Sequence, residues 1–514
     1  MASSPKPHLA KIRLTQFVTR QHRCLIRAAD CIAYSNSTQT AQLIGQMARN
    51  ISSGSAFEAD IGYSRAVIVD DWIEISGTTG YNYQTGAISP DVAEQAEQAL
   101  QNIDAALRRA PASATSSASA RTTQHTTQYS VRRTRFQDRD AGLNAEFLDT
   151  MPRALTLRRT EGKPGEVYYP LQITDVAMPE PGPRELLVRL KAAALNHRDL
   201  FIRRHQYPAI SFGNPMLADG YGVVEKAGSA VSSAGLALLH KPVVLTPMRG
   251  WLSDPAGPEP DSIFTVTGSS KLCDVGTAQD YIVVHEDEVA LAPAHLSPVE
   301  AAALPLVGLT AWRALVTKAA CTSAGKNVLL TGIGGGVALQ ALQFAVAFGC
   351  RVFVSSGDQG KVDKAKQLGA VGGVLYKNDG WEKDLAAMLP ADRPYLDAVI
   401  DGAGGSIVAK SVRLLRQGGV IVQYGMTVGP KMDWLMQAVL ANVDLKGSTM
   451  GSRREFRDMI EFVREKEIRP VVSRTVKGLA NTEGIDELFA DMAAGRQFGK
   501  LVIEIDDGGA SPKL

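Results

Sequence analysis

The run Asn327-Val-Leu-Leu-Thr-Gly-Ile-Gly-Gly-Gly-Val-Ala-Leu-Gln340 decides the fold of this chain. Val328, Leu329 and Leu330 read as a buried strand. Ala338-Leu-Gln-Ala-Leu-Gln-Phe-Ala-Val-Ala347 reads as a helix, and Arg351-Val-Phe-Val-Ser355 as a second strand. Between the first strand and the helix, Gly332, Gly334, Gly335 and Gly336 let the backbone turn tightly and approach a pyrophosphate. The free N–H groups from Val337 onward face its charge. A glycine cluster alone says little; one flanked by a strand, a helix and a second strand reads as a dinucleotide site.

At 514 residues the chain is long enough for about three domains. A hydrophobic content of 45%, a charged content of 21% and a net charge of +2 describe an ordinary globular protein with no whole-chain case for nucleic acid. No apolar run reaches the roughly 18 residues of a membrane helix. The five cysteines, Cys24, Cys31, Cys273, Cys321 and Cys350, have no Cys-x-x-Cys spacing and no paired framework. That favours a reducing compartment, the cytoplasm, and argues against structural zinc. The first 29 residues carry Lys6, Lys11, Arg13, Arg20, Arg23 and Arg27 with no acid. They read as a basic disordered tail over 1–46, with a mitochondrial transit segment as the other reading.

Ala110-Pro-Ala-Ser-Ala-Thr-Ser-Ser-Ala-Ser-Ala120 has nothing to bury, so 111–150 reads as a low-complexity linker. Ahead of it, Tyr63–Val69 and Trp72–Ser76 read as strands. Val92, Ala96, Ala99, Leu100, Ile103 and Leu107 fall at helical spacing. Behind it, residues 156–281 are β-rich, and from Pro298 to about residue 445 strands such as Asp397–Ile400 and Gly419–Gln423 alternate with helices, the mark of a parallel sheet. Val502–Ile505 is β again, so the chain returns to the first domain, and 506–514 reads as a frayed tail.

Two resemblances follow. Ile61-Gly-Tyr-Ser-Arg-Ala-Val67, Ile75-Ser-Gly-Thr-Thr-Gly-Tyr81 and Glu94-Gln-Ala-Glu-Gln-Ala-Leu-Gln-Asn-Ile103 resemble the first half of the RidA (YjgF) family of enamine and imine deaminases. A truncated RidA-like α+β segment over 47–110 lacks the half that carries the family's substrate-gripping arginine, so no deaminase activity is expected of it. Ala194-Leu-Asn-His-Arg-Asp199, Asp219-Gly-Tyr-Gly-Val-Val-Glu-Lys-Ala-Gly228, Gly308-Leu-Thr-Ala-Trp312, the glycine turn and Gly447-Ser-Thr-Met-Gly451 resemble the medium-chain dehydrogenase/reductase superfamily over 151–505. The implied architecture is a GroES-like catalytic domain over 151–300 and 446–505, with a doubly wound Rossmann domain over 301–445.

In the zinc alcohol dehydrogenases of that superfamily a cysteine precedes the His-x-Asp element and a Gly-His-Glu precedes the later glycines. Here those places hold Asn196 and Ala218-Asp219. Thiolate and imidazole are gone, and His197 alone does not make a zinc site. The four-cysteine lobe is replaced by Trp251-Leu-Ser-Asp-Pro-Ala-Gly-Pro-Glu-Pro260. This pattern resembles the zinc-independent quinone oxidoreductases and enone reductases. The implied reaction is hydride delivery to the β-carbon of an alkene conjugated to a carbonyl, with donors for the enolate oxygen and a proton for the α-carbon.

By resemblance Asn196 and Tyr207 are the catalytic residues, Tyr207 donating to the carbonyl or else packing beside Pro208. Phe201 stands where many quinone reductases have a tyrosine, which leaves protonation to solvent. Thr310, Tyr424, Gly425 and Met426 line the nicotinamide side, and Tyr376 stacks near the adenosine phosphate. NAD-using relatives end the second nucleotide-domain strand with a carboxylate; that place is Ser356, and with Lys361 nearby it suits a 2′-phosphate, so NADP(H) is the expected cofactor. Asp358 serving the ribose, and Lys361 as a solvated helix-start charge, are the competing readings. A zinc-type alcohol dehydrogenase and a nucleotide-binding protein with little catalysis are the alternative functions. A homodimer is the assembly usual for the family.

Overall fold

The computed structural model describes residues 151–505, apart from Pro430, and six short strands ahead of them. Two compact units divide at Ala141 and Gly142.

In the first unit, Trp72–Ile75 pairs antiparallel with Ala66–Val69, which pairs antiparallel with Ala48–Ile51. Lys11–Leu14 lies parallel to Trp72–Ile75 on the other side. This strand falls within the region read as a tail; Lys-Ile-Arg-Leu alternates charged and apolar residues with the period of a strand. Tyr81–Asn82 and Ala87–Ile88 form a small hairpin. The helix expected over 92–107, the linker and the C-terminal tail lie outside the described residues.

In the second unit a six-stranded parallel sheet has the spatial order Gly372–Leu375, Arg351–Ser356, Asn327–Leu330, Leu396–Asp401, Leu415–Gln423, Asp444–Gly447. The order reverses beside Asn327–Leu330, and ligands of such sheets bind at the carboxyl ends of the strands at that switch point. Val328, Leu329 and Leu330 are buried because helices cover both faces of the sheet. Asp444–Gly447 belongs to this sheet, two residues past the expected domain boundary at 445. Helix Gly336–Ala347 buries Leu339, Leu342 and Phe344; Phe344 packs edge-on to Trp312 of helix Pro305–Trp312 at 5.8 Å.

The second sheet is built around Glu185–Ala194, which pairs antiparallel with Asp219–Ala227, Tyr281–His285 and Lys500–Glu504. Asp219–Ala227 continues to Pro242–Leu245 and Val289–Leu291. Lys500–Glu504 pairs in parallel with Val472–Lys477. The last strand therefore returns beside the first long one, as the apolar Val502–Ile505 suggests.

The loop at 251–260 is held by hydrogen bonds and a buried ion pair. The Glu259 carboxylate accepts the backbone N–H groups of Leu252, Ser253 and Asp254 at 2.7, 2.8 and 3.2 Å. Trp251 donates its indole N–H to the Asp254 carbonyl and lies 4.3 Å from the guanidinium carbon of Arg313. Arg313 grips Glu455 through both carboxylate oxygens and donates to the Pro255 carbonyl.

Candidate active site

The glycine turn opens into a cavity of about 910 Å³ between the two sheets of the second unit. Gly332 and Gly334 have φ of +64° and +117°, conformations that disfavour any side chain. A Cβ added at Gly336 would lie 2.9 Å from both Lys500 Cδ and Val307 Cγ1. Gly335 caps helix Gly336–Ala347 with no side chain, so the first N–H groups of the helix are left for an anion. A dinucleotide pyrophosphate fits this cradle.

Gly332, Gly334, Gly335, Gly336 and Val337 line the middle of the cavity. Toward one end lie Ser356, Lys361 and Tyr376, with Lys377 beside them. Ser356 ends its strand, and its hydroxyl accepts the Asp358 N–H at 3.2 Å. One Asp358 carboxylate oxygen accepts the Lys361 N–H and caps helix Gln359–Gln367. Lys361 both opens that helix and lines the cavity; its ammonium donates to the Gly495 carbonyl at 2.6 Å.

Toward the other end lie Thr310, Tyr424, Gly425 and Met426, together with Asn196 and Tyr207. The Thr310 hydroxyl points at the Met450 sulfur. Burial pushes the Tyr424 phenol well above its ordinary range, and the nearby Asp401 carboxylate adds to this. Tyr207 packs against the core and under Arg198, 5.0 Å from its guanidinium carbon; its hydroxyl has no hydrogen-bond partner among the described residues.

Asn196 precedes helix His197–Arg203, and the Asp199 carboxylate caps its backbone N–H at 2.8 Å. Burial pushes the Asp199 carboxyl up against the pull of Arg198, whose Nη1 is 3.0 Å away. His197, at the first position of the helix, opens onto the cavity. Desolvation lowers its pKa, and the Lys500 ammonium lowers it further.

Both ends of the Asn196 amide are held. Its Nδ2 donates to Asp219 Oδ2 at 2.9 Å, and its Oδ1 accepts from Lys500 Nζ at 2.7 Å. Lys500 also donates to Asp219 Oδ2 and to the Leu195 carbonyl, both at 2.7 Å. The other Asp219 oxygen accepts the Leu306 N–H at the start of helix Pro305–Trp312. Asn196, Asp219 and Lys500 are 6%, 0% and 4% exposed.

This cluster does not fit zinc. Its donors are a carbonyl, an amide oxygen and one carboxylate, all three already bonded to an ammonium, with no thiolate or imidazole among them. Among the described residues no group of three or more His, Cys, Asp or Glu is placed to hold a metal ion. Lys500, Lys377, Arg198 and Gln497 line the cavity without having been singled out in the sequence. For Lys500 the available signal was a lysine heading the apolar strand Leu501-Val-Ile503.

Comparison with known proteins agrees with the two-domain dehydrogenase fold. Residues 336–465 match the family described as Zinc-binding dehydrogenase, and 182–294 the Alcohol dehydrogenase GroES-like domain. Residues 53–138 match Endoribonuclease L-PSP, which covers all but the first six residues of the RidA-like segment at 47–110 and runs on into the expected linker. The Zinc-type alcohol dehydrogenase-like protein YogA of Leptosphaeria maculans is 58% identical over 358 residues, 69% of this chain and 100% of that protein. A Zinc-type alcohol dehydrogenase-like protein of Schizosaccharomyces pombe is 31% identical over 63% of this chain and 92% of its own length. A solved NAD-dependent alcohol dehydrogenase superposes with a TM-score of 0.58 at 30% identity, over 69% of this chain and all of that one. A complete dehydrogenase architecture, preceded by a RidA-like segment, makes this chain a member of the zinc-type alcohol dehydrogenase-like branch of the medium-chain dehydrogenase/reductase oxidoreductases.

Proposed function

We propose that residues 151–505 form an NADPH-dependent, metal-free reductase of quinones or α,β-unsaturated carbonyl compounds. The observation that carries this is the Asn196–Asp219–Lys500 network, which occupies the ligand places of the zinc enzymes with groups unsuited to zinc. The relatives' names speak of zinc and alcohols; the donor set here argues for the reverse direction of hydride flow, onto an electron-poor alkene.

Bound nicotinamide nucleotide supplies the hydride. The protein's task is then to hold the substrate carbonyl where negative charge develops and to admit a proton. The second Asn196 Nδ2 hydrogen, held only by a long 3.5 Å contact to the Ala194 carbonyl, is the donor for that oxygen, and the Tyr207 hydroxyl is available as a second. Phe201 lines the cavity and carries no proton, so the α-carbon takes its proton from water.

NADPH is favoured over NADH by the absence of a carboxylate at Ser356 and by Lys361 and Lys377 at that end of the cavity. A homodimer is supported by the open edge strand Asp444–Gly447, beside which Met436, Leu440 and Leu445 are exposed. The three described cysteines are free, in keeping with a cytoplasmic site.

Stopped-flow oxidation of NADPH by simple quinones, enals and enones tests the reading. Turnover with these but not with alcohols and NADP⁺ is the expected result. Alcohol oxidation that depends on added zinc would overturn it.

A further inference from the structure

We infer that Lys500 is the built-in cation of this active site: it fills the position between the Leu195 carbonyl, Asn196 Oδ1 and Asp219 Oδ2, and thereby fixes the amide of Asn196 and shuts out a divalent metal. The inference deepens the reductase reading and, in its kinetic part, rests on it.

Three oxygens surround one nitrogen at 2.7 Å each, and an ammonium has three hydrogens. All three are spent on protein oxygens, so Lys500 has none for a substrate. It is a positioning residue. What it positions is Asn196. An amide can be turned end for end at little steric cost, and only its neighbours decide which end faces where. Here an inverted Asn196 would set its NH₂ against the Lys500 ammonium and its oxygen against the Asp219 carboxylate, two repulsive contacts at hydrogen-bond range. The charge pair therefore locks the NH₂ in the orientation whose other hydrogen has only the Ala194 carbonyl, at a long 3.5 Å, as protein acceptor.

The lysine is itself held from both sides. Its stem passes close to Gly336 at the head of the phosphate-facing helix, where a Cβ would meet Lys500 Cδ at 2.9 Å. The residue before it, Gly499, donates its N–H to the Gly334 carbonyl at 2.9 Å. One side chain thus runs from the glycine turn to the reacting end of the cavity. The surroundings are electrically balanced: Arg198 answers Asp199, Lys500 answers Asp219, and both desolvation and Lys500 favour the neutral imidazole at His197. A divalent ion at Lys500 Nζ would have to displace a buried ammonium from its carboxylate.

The test uses the full chain and three variants. Dialysed against zinc or cobalt and desalted, the wild type is expected to retain far less than one ion per chain. Lys500→Ala is expected to lower kcat for enone reduction by about 10- to 100-fold while shifting the KM for NADPH much less. Propylammonium should restore part of that rate, and propanol should not. Because Lys500→Met strands a buried carboxylate and can fail to fold, it is paired with Lys500→Met/Asp219→Asn, which removes both charges. The double variant should regain thermal stability without regaining kcat. Recovery of kcat together with stability, equal rescue by propanol, or stoichiometric zinc in the wild type would overturn the inference. If the wild type reduces no enone or quinone with either nucleotide, the reductase reading fails by itself. The metal content of the wild type and of Lys500→Ala then decides the matter: an ion bound only by the variant supports the built-in cation, and equal contents overturn it.

Discussion

Gly499 donates its backbone N–H to the carbonyl of Gly334 at 2.9 Å, so the strand that carries Lys500 is tied directly to the glycine turn. Gly499 has φ of +115°, and a Cβ there would meet the Val471 carbonyl oxygen at 2.4 Å. Gly499→Ala is expected to cost about 1–3 kcal/mol in stability. It should also raise the KM for nucleotide. Denaturant titration and initial rates on the same preparation check both effects; an unchanged KM would show that the tie is not felt at the turn.

Ser356→Asp places a carboxylate at the end of strand Arg351–Ser356, in the part of the cavity assigned to the 2′-phosphate. The ratio of kcat/KM for NADPH over NADH should fall about 10- to 100-fold. Steady-state kinetics with both nucleotides measures it. An unchanged ratio would remove the argument for NADPH.

Tyr207→Phe removes a hydroxyl that has no protein partner among the described residues. Thermal stability should hold, and kcat with an enone should drop by about tenfold or more if that hydroxyl donates to the developing enolate. A full-speed variant would return Tyr207 to a packing role.

Arg313 and Glu455 form a buried pair, 1% and 8% exposed, bound through two contacts of 2.8 and 3.0 Å. Removing one partner leaves the other charge buried, so Arg313→Met is expected to cost about 3–5 kcal/mol. Arg313→Met/Glu455→Gln should recover most of it. Urea unfolding of the three proteins provides the comparison.

Hydrogen bonds from the Leu252 N–H first, and those of Ser253 and Asp254, hold the Glu259 carboxyl down to about 2. A folded-state pKa below the unfolded value contributes stability that is present above the unfolded value of about 4.5 and is lost as the pH falls toward 2. The loop at 251–260 should therefore loosen in acid. Hydrogen exchange at Leu252 and Ser253, followed from pH 6 downward, should rise for the wild type and start high for Glu259→Gln.

Much of the site was legible because its parts are local. The glycine turn announces itself by composition, flanks and spacing within one short stretch, and Asn196 and Asp219 could be placed by their positions beside recognisable motifs. Ser356 was found by counting back from the next helix. Lys500 was not legible: it meets Asn196 and Asp219 across 304 and 281 residues of chain, and its place at the head of an apolar strand does not name those partners. Lys11–Leu14 escaped for a different reason. Four alternating residues inside a basic stretch carry too little apolar signal to be set apart from a solvated tail.

The position of Lys500–Glu504 between Glu185–Ala194 and Val472–Lys477 has a consequence for biosynthesis. The parallel sheet is complete once Asp444–Gly447 has left the ribosome, whereas the second sheet waits for one of its inner strands until Lys500–Glu504 has followed. A nascent chain can therefore possess its parallel sheet while Asp219 still lacks its ammonium and the glycine turn its tie to Gly499.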